Sequence, residues 1–461
     1  MQTRYKVAVA GSSGFVGSAL LPKLAKDHQV IALTRGDIPN QENIDWVQCD
    51  LFSLLETERA LKGVDYAVYL VHSMLPSAQL TQGSFQDLDL LVADNFARAA
   101  EKNNIKQIIY VGGIIPSNQE LSKHLKSRKE VENALAFRKA KLSTLRAAMI
   151  IGANGSSLNI VTRLVHKLPI MFCPSWTAKS SQPVELDDVV DSIIHLIGKE
   201  EHYSKTYDLA GSEKVTYREM MLEVAKQTGK NLKIYSLPFF TPSLSRIWVS
   251  LITGAPKNLV APLISSLKNE MLADPKMILE IPGKKFLGFS ASLKKALSVN
   301  YKPKPRAFTL PESEKRKKTV RSVQRVFLPK DLSARQASEK YVNWLPYFLK
   351  PFLKVELIRD DCIFRVPFLS LDLLILRKSQ KRSSENRQLY YIVGGLLVKP
   401  IKKGRIKARI EFRTTYDNKS LIIAIHDYKP TLPWYVYRFT QAILHLWVMK
   451  NFDSYLRQRS S

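Results

Sequence analysis

Gly11, Gly14 and Gly17 stand three residues apart in Gly11-Ser12-Ser13-Gly14-Phe15-Val16-Gly17, directly after the apolar run Lys6-Val-Ala-Val-Ala10. Glycines at this spacing, between a strand and a helix start, build a phosphate cradle. They let the turn tighten and the backbone approach a pyrophosphate. The helix N-terminus then offers free N–H groups and a positive dipole end to the anion. Dinucleotide sites usually add an acid at the end of the second strand, which accepts from a ribose 2′-hydroxyl. Here that strand ends Leu33-Thr34-Arg35, with no acid. A guanidinium fork matches a 2′-phosphate in geometry and charge, so Thr34-Arg35 predicts NADP(H) over NAD(H).

Three further strand ends should face the same crevice. Asp50-Leu51 follows the third strand. Asp50 either accepts from an adenine amino group or caps the next helix. The fourth ends Leu70-Val71-His72-Ser73. As the end of a central strand it faces the ligand, which puts Val71, His72 and Ser73 near the cofactor ribose or diphosphate. The competing reading of His72 is a satisfied loop histidine. The fifth ends Gly112-Gly113 and leads to His124 and Arg128, which are four apart and share a helix face. No Cys/His/Asp/Glu spacing predicts a metal.

These residues need an α/β frame, and the pattern supplies one. Continuous apolar runs at Tyr5–Ala10, Gln29–Leu33, Asp45–Gln48, Tyr66–Leu70, Gln107–Val111 and Ser143–Ala147 read as parallel strands buried on both faces. Helical patterns fall between them at Phe15–Ala25, Leu54–Leu61, Phe85–Asn103 and Leu121–Arg138. The alternation predicts a Rossmann-type doubly wound parallel sheet over residues 1–150. Residues 151–300 read as a small substrate lobe, with helices at Asn159–Lys167, Leu186–Gly198, Thr216–Gly229 and Leu259–Leu272. Lys-Pro-Lys-Pro-Arg and a charge run mark 301–319 as a linker. Residues 320–461 are strand-rich and close with one long aromatic helix candidate, Leu432–Leu456, which suggests a curved sheet wrapped around a helix.

The chain carries a net charge of +29. From Tyr301 onward it has 34 Lys+Arg against 13 Asp+Glu, so 34 − 13 = +21 of the excess lies in the last third. That asymmetry suits an electrostatic partner or a solubilising surface. No nucleic-acid motif accompanies it, so no specific nucleic acid is expected. Weak peripheral contact of the C-terminal part with an anionic membrane is the charge-based alternative. Three distant cysteines, no visible signal peptide and no long uncharged apolar run predict a cytoplasmic protein without a spanning helix.

Through these residues the chain resembles the short-chain dehydrogenase/reductase superfamily in its atypical, NmrA-like branch. The glycine turn, Asp50-Leu51, Gly112-Gly113, Gln182-Pro-Val-Glu-Leu-Asp-Asp-Val189 and Tyr207-Asp-Leu-Ala-Gly-Ser-Glu-Lys-Val-Thr-Tyr-Arg-Glu-Met220 carry the likeness over about residues 4–300. The remainder resembles a bacterial module of the polyketide-cyclase/START-like superfamily, an α+β helix-grip fold. Tyr341-Val-Asn-Trp-Leu-Pro, Gln388-Leu-Tyr-Tyr-Ile-Val-Gly-Gly and Ala424-Ile-His-Asp-Tyr-Lys-Pro carry that second likeness. The first resemblance implies NAD(P)H-dependent reduction of a small apolar carbonyl or quinone-like substrate. It also exposes a departure. The family's catalytic Tyr-x-x-x-Lys is replaced by His124 and Arg128, and Gly112-Gly113 occupies the place of its serine. Arg128 keeps the ability to donate to ribose hydroxyls but cannot shuttle protons. His124 is either a general acid or a cofactor-proximal structural group, and the cation one turn away favours its neutral form. The alternative function is a non-catalytic NADP(H)-binding sensor or scaffold.

Three C-terminal features have paired readings. His426-Asp427 either polarises a ligand or is a satisfied hydrogen bond. The stripe Trp434, Tyr435, Tyr437, Phe439, Leu444 and Trp447 is read as core before lipid pocket. The basic run Lys399–Arg409 is read as a lysine-protected edge before an anion-binding patch.

Overall fold

A computed structural model describes residues 4–72, 78–117, 120–237, 249–254, 269–298, 317–399 and 408–458. The chain divides into two compact units. One comprises Met1–Leu75 and Val92–Lys315, the other Pro76–Leu91 and Arg316–Ser461.

In the first unit, β1 (Lys6–Ala10), β2 (Gln29–Thr34), β3 (Ile44–Gln48), β4 (Tyr66–Tyr69), β6 (Gln107–Gly113), β7 (Lys141–Ala147) and β12 (Thr206–Leu209) form one sheet. Their order is β12-β7-β6-β4-β1-β2-β3, and every pairing is parallel. Helices α1 (Phe15–Leu24), α2 (Leu54–Ala60), α3 (Phe85–Lys102) and α4 (Lys123–Ala136) alternate with the strands. This is the doubly wound Rossmann-type sheet the apolar runs predict. Val7, Val9, Val30, Ala32, Val68 and Ile109 are fully inaccessible in its centre. The strand order reverses between β1 and β4, so the crevice for a ligand opens at their carboxyl ends.

The lobe is built from short pairs: β8 (Ile150–Ile151) with β11 (Val184–Glu185), β9 (Ile170–Pro174) with β14 (Lys233–Leu237), and β10 (Ser180–Ser181) with β13 (Val215–Thr216). Helices α5 (Ser156–Lys167), α6 (Leu186–Leu196), α7 (Tyr217–Gln227) and α8 (Phe289–Ser298) complete it. The conspicuous acids of Gln182–Val189 are anchors. Glu185 caps α6 by accepting from the Asp187 and Asp188 amides. Lys23 reaches Asp191, Lys284 reaches Asp188, and Lys295 reaches Asp187. Most of the expected helix Leu259–Leu272 lies outside the described residues, and 269–272 is not helical.

In the second unit, β15 (Lys317–Phe327), β16 (Lys354–Ile358), β17 (Asp361–Val366), β18 (Leu371–Lys378), β19 (Arg387–Gly394), β20 (Arg409–Thr414) and β21 (Ser420–Tyr428) form an antiparallel series, with β21 returning to β15. An eighth strand, β5 (Ala78–Gln82), adds parallel to the outer edge of β15. The result is a mixed eight-stranded sheet. Lys317–Thr319, expected in the linker, already belong to β15. Two elements correct the sequence reading: β5, and α9 (Ala334–Phe348), which packs Tyr341, Trp344 and Leu345 onto the sheet. The long C-terminal helix is two, α10 (Trp434–Phe439) and α11 (Gln441–Gln458), broken where Thr440 leaves helical geometry.

The aromatic stripe is also corrected. Tyr437 is core, but Tyr435, Phe439, Leu444 and Trp447 face outward. The core side of α11 is Ala442, Val448, Met449, Phe452 and Leu456. Asp427 pairs with Arg409 at 2.9 Å, beside the inaccessible His426. Residues 400–407 of the basic run lie outside the described residues.

Candidate dinucleotide site

The cradle forms as its glycines require. Gly11 takes φ +89°, and the Gly14 amide donates to the Gly11 carbonyl at 3.0 Å, closing the turn. A Cβ on Gly17 would lie 2.3 Å from that carbonyl and 2.8 Å from the Ser12 carbonyl, so only glycine lets α1 start this close. Ser12 is buried, and its hydroxyl donates to the Val9 carbonyl at 2.6 Å, bracing the turn from within. Ser13 and Gly14 are exposed, and Val16 is half-buried. The Phe15 ring lies against Gly152 and Gly155, whose added Cβ atoms would each be 3.0 Å from its tip. No side chain caps the first amides of α1, and no acid sits in its first turn. This donor set fits a pyrophosphate.

At the end of β2, Thr34 Oγ1 accepts from the Gly36 amide at 3.2 Å, and the Arg35 carbonyl accepts from Gln48 Nε2 at 3.1 Å. Arg35 is half-buried beside the cradle strand. Asp50 is not the cap of α2; Ser53 is, accepting from the Glu56 amide. Asp50 instead accepts from the Phe52 amide at 3.2 Å, while its own amide donates to Glu56. The Leu51 carbonyl accepts from Asn95 Nδ2 at 2.8 Å.

Beyond β4 and β6 the structure brings together residues that are far apart in sequence. The rings of His72 and His124 have centroids 5.2 Å apart, tilted by 31°. His124 is the second residue of α4, whose cap is Ser122. One turn on, Arg128 is buried, and an added Cβ on Gly113 would sit 3.9 Å from its Cγ. Gly112 is held glycine by the Tyr110 ring, 2.8 Å from where its Cβ would be. The Tyr110 hydroxyl donates to the Arg128 carbonyl at 3.3 Å, which ties α4 to β6. The sequence reading missed Tyr110; its place two residues before Gly112, on the same strand face, was the available signal. Ser73 lies outside the described residues, and Val71 is half-buried. Beside Gly113, Leu125 belongs to a small buried apolar cluster with Ile114, Ala210, Met271 and Ala273.

Residues 11–154 match a family model described as NAD(P)H-binding. The match takes in the cradle and the strands around it, and the N-terminal part is similar to that NAD(P)H-binding family. The chain is 33% identical over 123 residues to the auxiliary protein GraX of Staphylococcus aureus, a match that takes in 26% of this chain. It spans only 39% of that relative's length. Among solved structures, the NADPH-dependent quinone oxidoreductase QOR2 of Escherichia coli, complexed with NADPH, superposes with a TM-score of 0.50 at 19% identity. That likeness covers 62% of this chain and 98% of the other. A nucleoside-diphosphate-sugar epimerase of Staphylococcus aureus superposes with a TM-score of 0.50 at 13% identity, covering 63% and 99%. At these identities the two likenesses establish the fold.

Proposed function

We propose that the first unit is an NADP(H)-dependent reductase of an apolar carbonyl or quinone-like substrate. The observations that carry this reading are the approach of the His72 and His124 rings, 5.2 Å apart, and the packing of Arg128, one helical turn from His124, beside Gly113. The α1 amides and the backbone of Gly11–Gly14 hold the pyrophosphate, and Arg35 holds the 2′-phosphate. Arg128 donates to ribose hydroxyls as a permanent cation. The reduced nicotinamide supplies a hydride when bound. The substrate oxygen then needs a proton, and we assign that role to His124, whose ring lies 5.2 Å from that of His72. The QOR2 likeness supports starting with quinones.

The second unit follows the order strand, helix, six strands, helix, which supports its reading as a START-like helix-grip module that holds an apolar ligand. β5 is an addition to that plan.

A second reading rests on His124 and Arg128 themselves. They replace a tyrosine and a lysine, so the unit would bind NADP(H) tightly without turnover, as a sensor or scaffold. One pair of measurements separates the readings. Calorimetric titration with NADPH and NADH tests binding, and steady-state NADPH oxidation with a quinone panel tests turnover. Quinone-dependent oxidation that His124→Phe abolishes while NADPH still binds supports the reductase. Tight binding with no oxidation supports the sensor, and binding of neither dinucleotide removes both.

A further inference from the structure

The second unit exposes an apolar rim at one end of its sheet. At that end β17 turns into β18 through Phe368 and Leu369, and Phe352 precedes β16. Phe352 and Phe368 are 74% and 79% exposed. The same end receives the chain leaving β21. There the Lys399 amide donates to the Lys429 carbonyl at 2.9 Å, and Tyr437 of α10 sits 6.0 Å from Tyr428. Tyr435 and Phe439 project outward from α10. Trp447 of α11 joins the rim through Phe348, with ring centroids 4.7 Å apart. Exposed aromatic residues gathered at one end of a sheet mark an interaction surface.

The charges around it identify the partner. Lys350, Lys399, Lys429 and Arg438 border the rim, are exposed, and form no ion pair among the described residues. Two of them lie over rim rings, Lys350 over Tyr347 and Arg438 over Phe439. The acids at this end are already matched, Asp372 by Arg365 and Asp427 by Arg409. A second copy of the chain would bring the same cations face to face. An anionic bilayer surface neutralises them while its headgroup region accepts the aromatic tips. Tyr and Trp at the margin suit that region, where one end of the ring is apolar and the other wet. No helix among the described residues is long and apolar enough to cross a membrane, so this contact is peripheral.

We propose that the rim of Phe352, Phe368, Leu369, Tyr435, Phe439 and Trp447, with its bordering cations, docks the protein on anionic phospholipid bilayers. The test is flotation of the full chain with vesicles of phosphatidylcholine alone, and of phosphatidylcholine mixed with phosphatidylglycerol, at low and high salt. Binding is expected only to the mixed vesicles and is expected to fall with salt. Phe368→Ser with Leu369→Ser should abolish it, and each of Lys350→Glu and Lys429→Glu should weaken it about fivefold or more. These side chains are outside the core, so melting temperature and NADPH binding should not change; a serine pair that still melts normally yet floats like the parent overturns the proposal. Equal binding to neutral vesicles, or binding indifferent to salt, also overturns it. So does a rim variant that converts a dimer to a monomer in light scattering while the parent ignores vesicles, because the rim is then an interface between copies.

Discussion

Arg325 on β15 donates through Nε to Oδ1 of Asp87 at 2.6 Å, across 238 residues of sequence. The bond belongs to a small set that ties residues 76–91 to the second unit. Gln82 donates to the Ala442 carbonyl at 2.9 Å, and Gly83 packs so close to Val323 that a Cβ would lie 2.6 Å from its carbonyl. A fragment of residues 316–461 produced alone therefore leaves the outer backbone edge of β15 unpaired, an invitation to aggregation. A synthetic peptide of residues 76–91 should raise its solubility and its melting temperature. No effect of the peptide would show that β5 is dispensable.

Gly17→Ala places a methyl group 2.3 Å from the Gly11 carbonyl. The turn must open, and the expected loss is about 1–3 kcal/mol of stability. Dinucleotide affinity should fall at least about tenfold, since the α1 amides no longer converge on one anion. Calorimetry with NADPH and a melting curve check both.

On the proposed assignment of Arg35 to the 2′-phosphate, Arg35→Asp should invert cofactor preference. Losing a charge-assisted contact and gaining a like charge should weaken NADPH by about 10–100-fold while leaving NADH within a few-fold. Parallel titrations with the two dinucleotides decide it, and an unchanged ratio removes Arg35 from the 2′-phosphate.

Burial alone would push the Glu411 carboxyl up, but Arg387 and Arg413 outweigh it and hold the group well below the usual carboxylate range. Arg387 binds it in a fork, with Nε to Oε1 at 2.7 Å and Nη2 to Oε2 at 3.0 Å. Glu411→Ala would leave two buried guanidinium groups facing each other, at an expected cost of about 3–5 kcal/mol in chemical denaturation.

His445 supplies a pH test. Burial pushes its imidazole down to about 4, and its ring stands 3.0 Å from the Ser322 hydroxyl. The unfolded chain takes up this proton near pH 6.5 and the folded chain only near 4. Stability is therefore full above pH 6.5 and is lost as pH falls through that window, by up to about 3 kcal/mol. His445→Gln should flatten the acid limb of the stability curve without moving its neutral plateau.

Much of the first unit was legible because parallel strands buried on both faces read as apolar runs, and because glycine spacing reports a backbone demand directly. His124 and Arg128 are legible by their register on a helix; the approach of His124 to His72 depends on strand order, which no local pattern carries. β5 was not legible. Ala78-Gln-Leu-Thr-Gln82 is short and half polar, and its partner lies far down the chain. α9 carries a usable sign, the reciprocal cap between Ser333 and Gln336, but strand-like neighbours mask it. The break at Thr440 has no glycine or proline to announce it. Asp50 looked like a helix cap because Asp favours such positions, but Ser53, three residues on, took that role.

The donated strand also sets a schedule for biosynthesis. Leu80 pairs with Val320, so 320 − 80 = 240 residues must be polymerised before it meets its neighbour. At about 5–20 residues per second, that wait is roughly 12–48 s. Throughout it the nascent α/β sheet carries a segment with nowhere to go. The ribosome cannot release a finished first module and then begin a second; the early part of this chain waits for the late part.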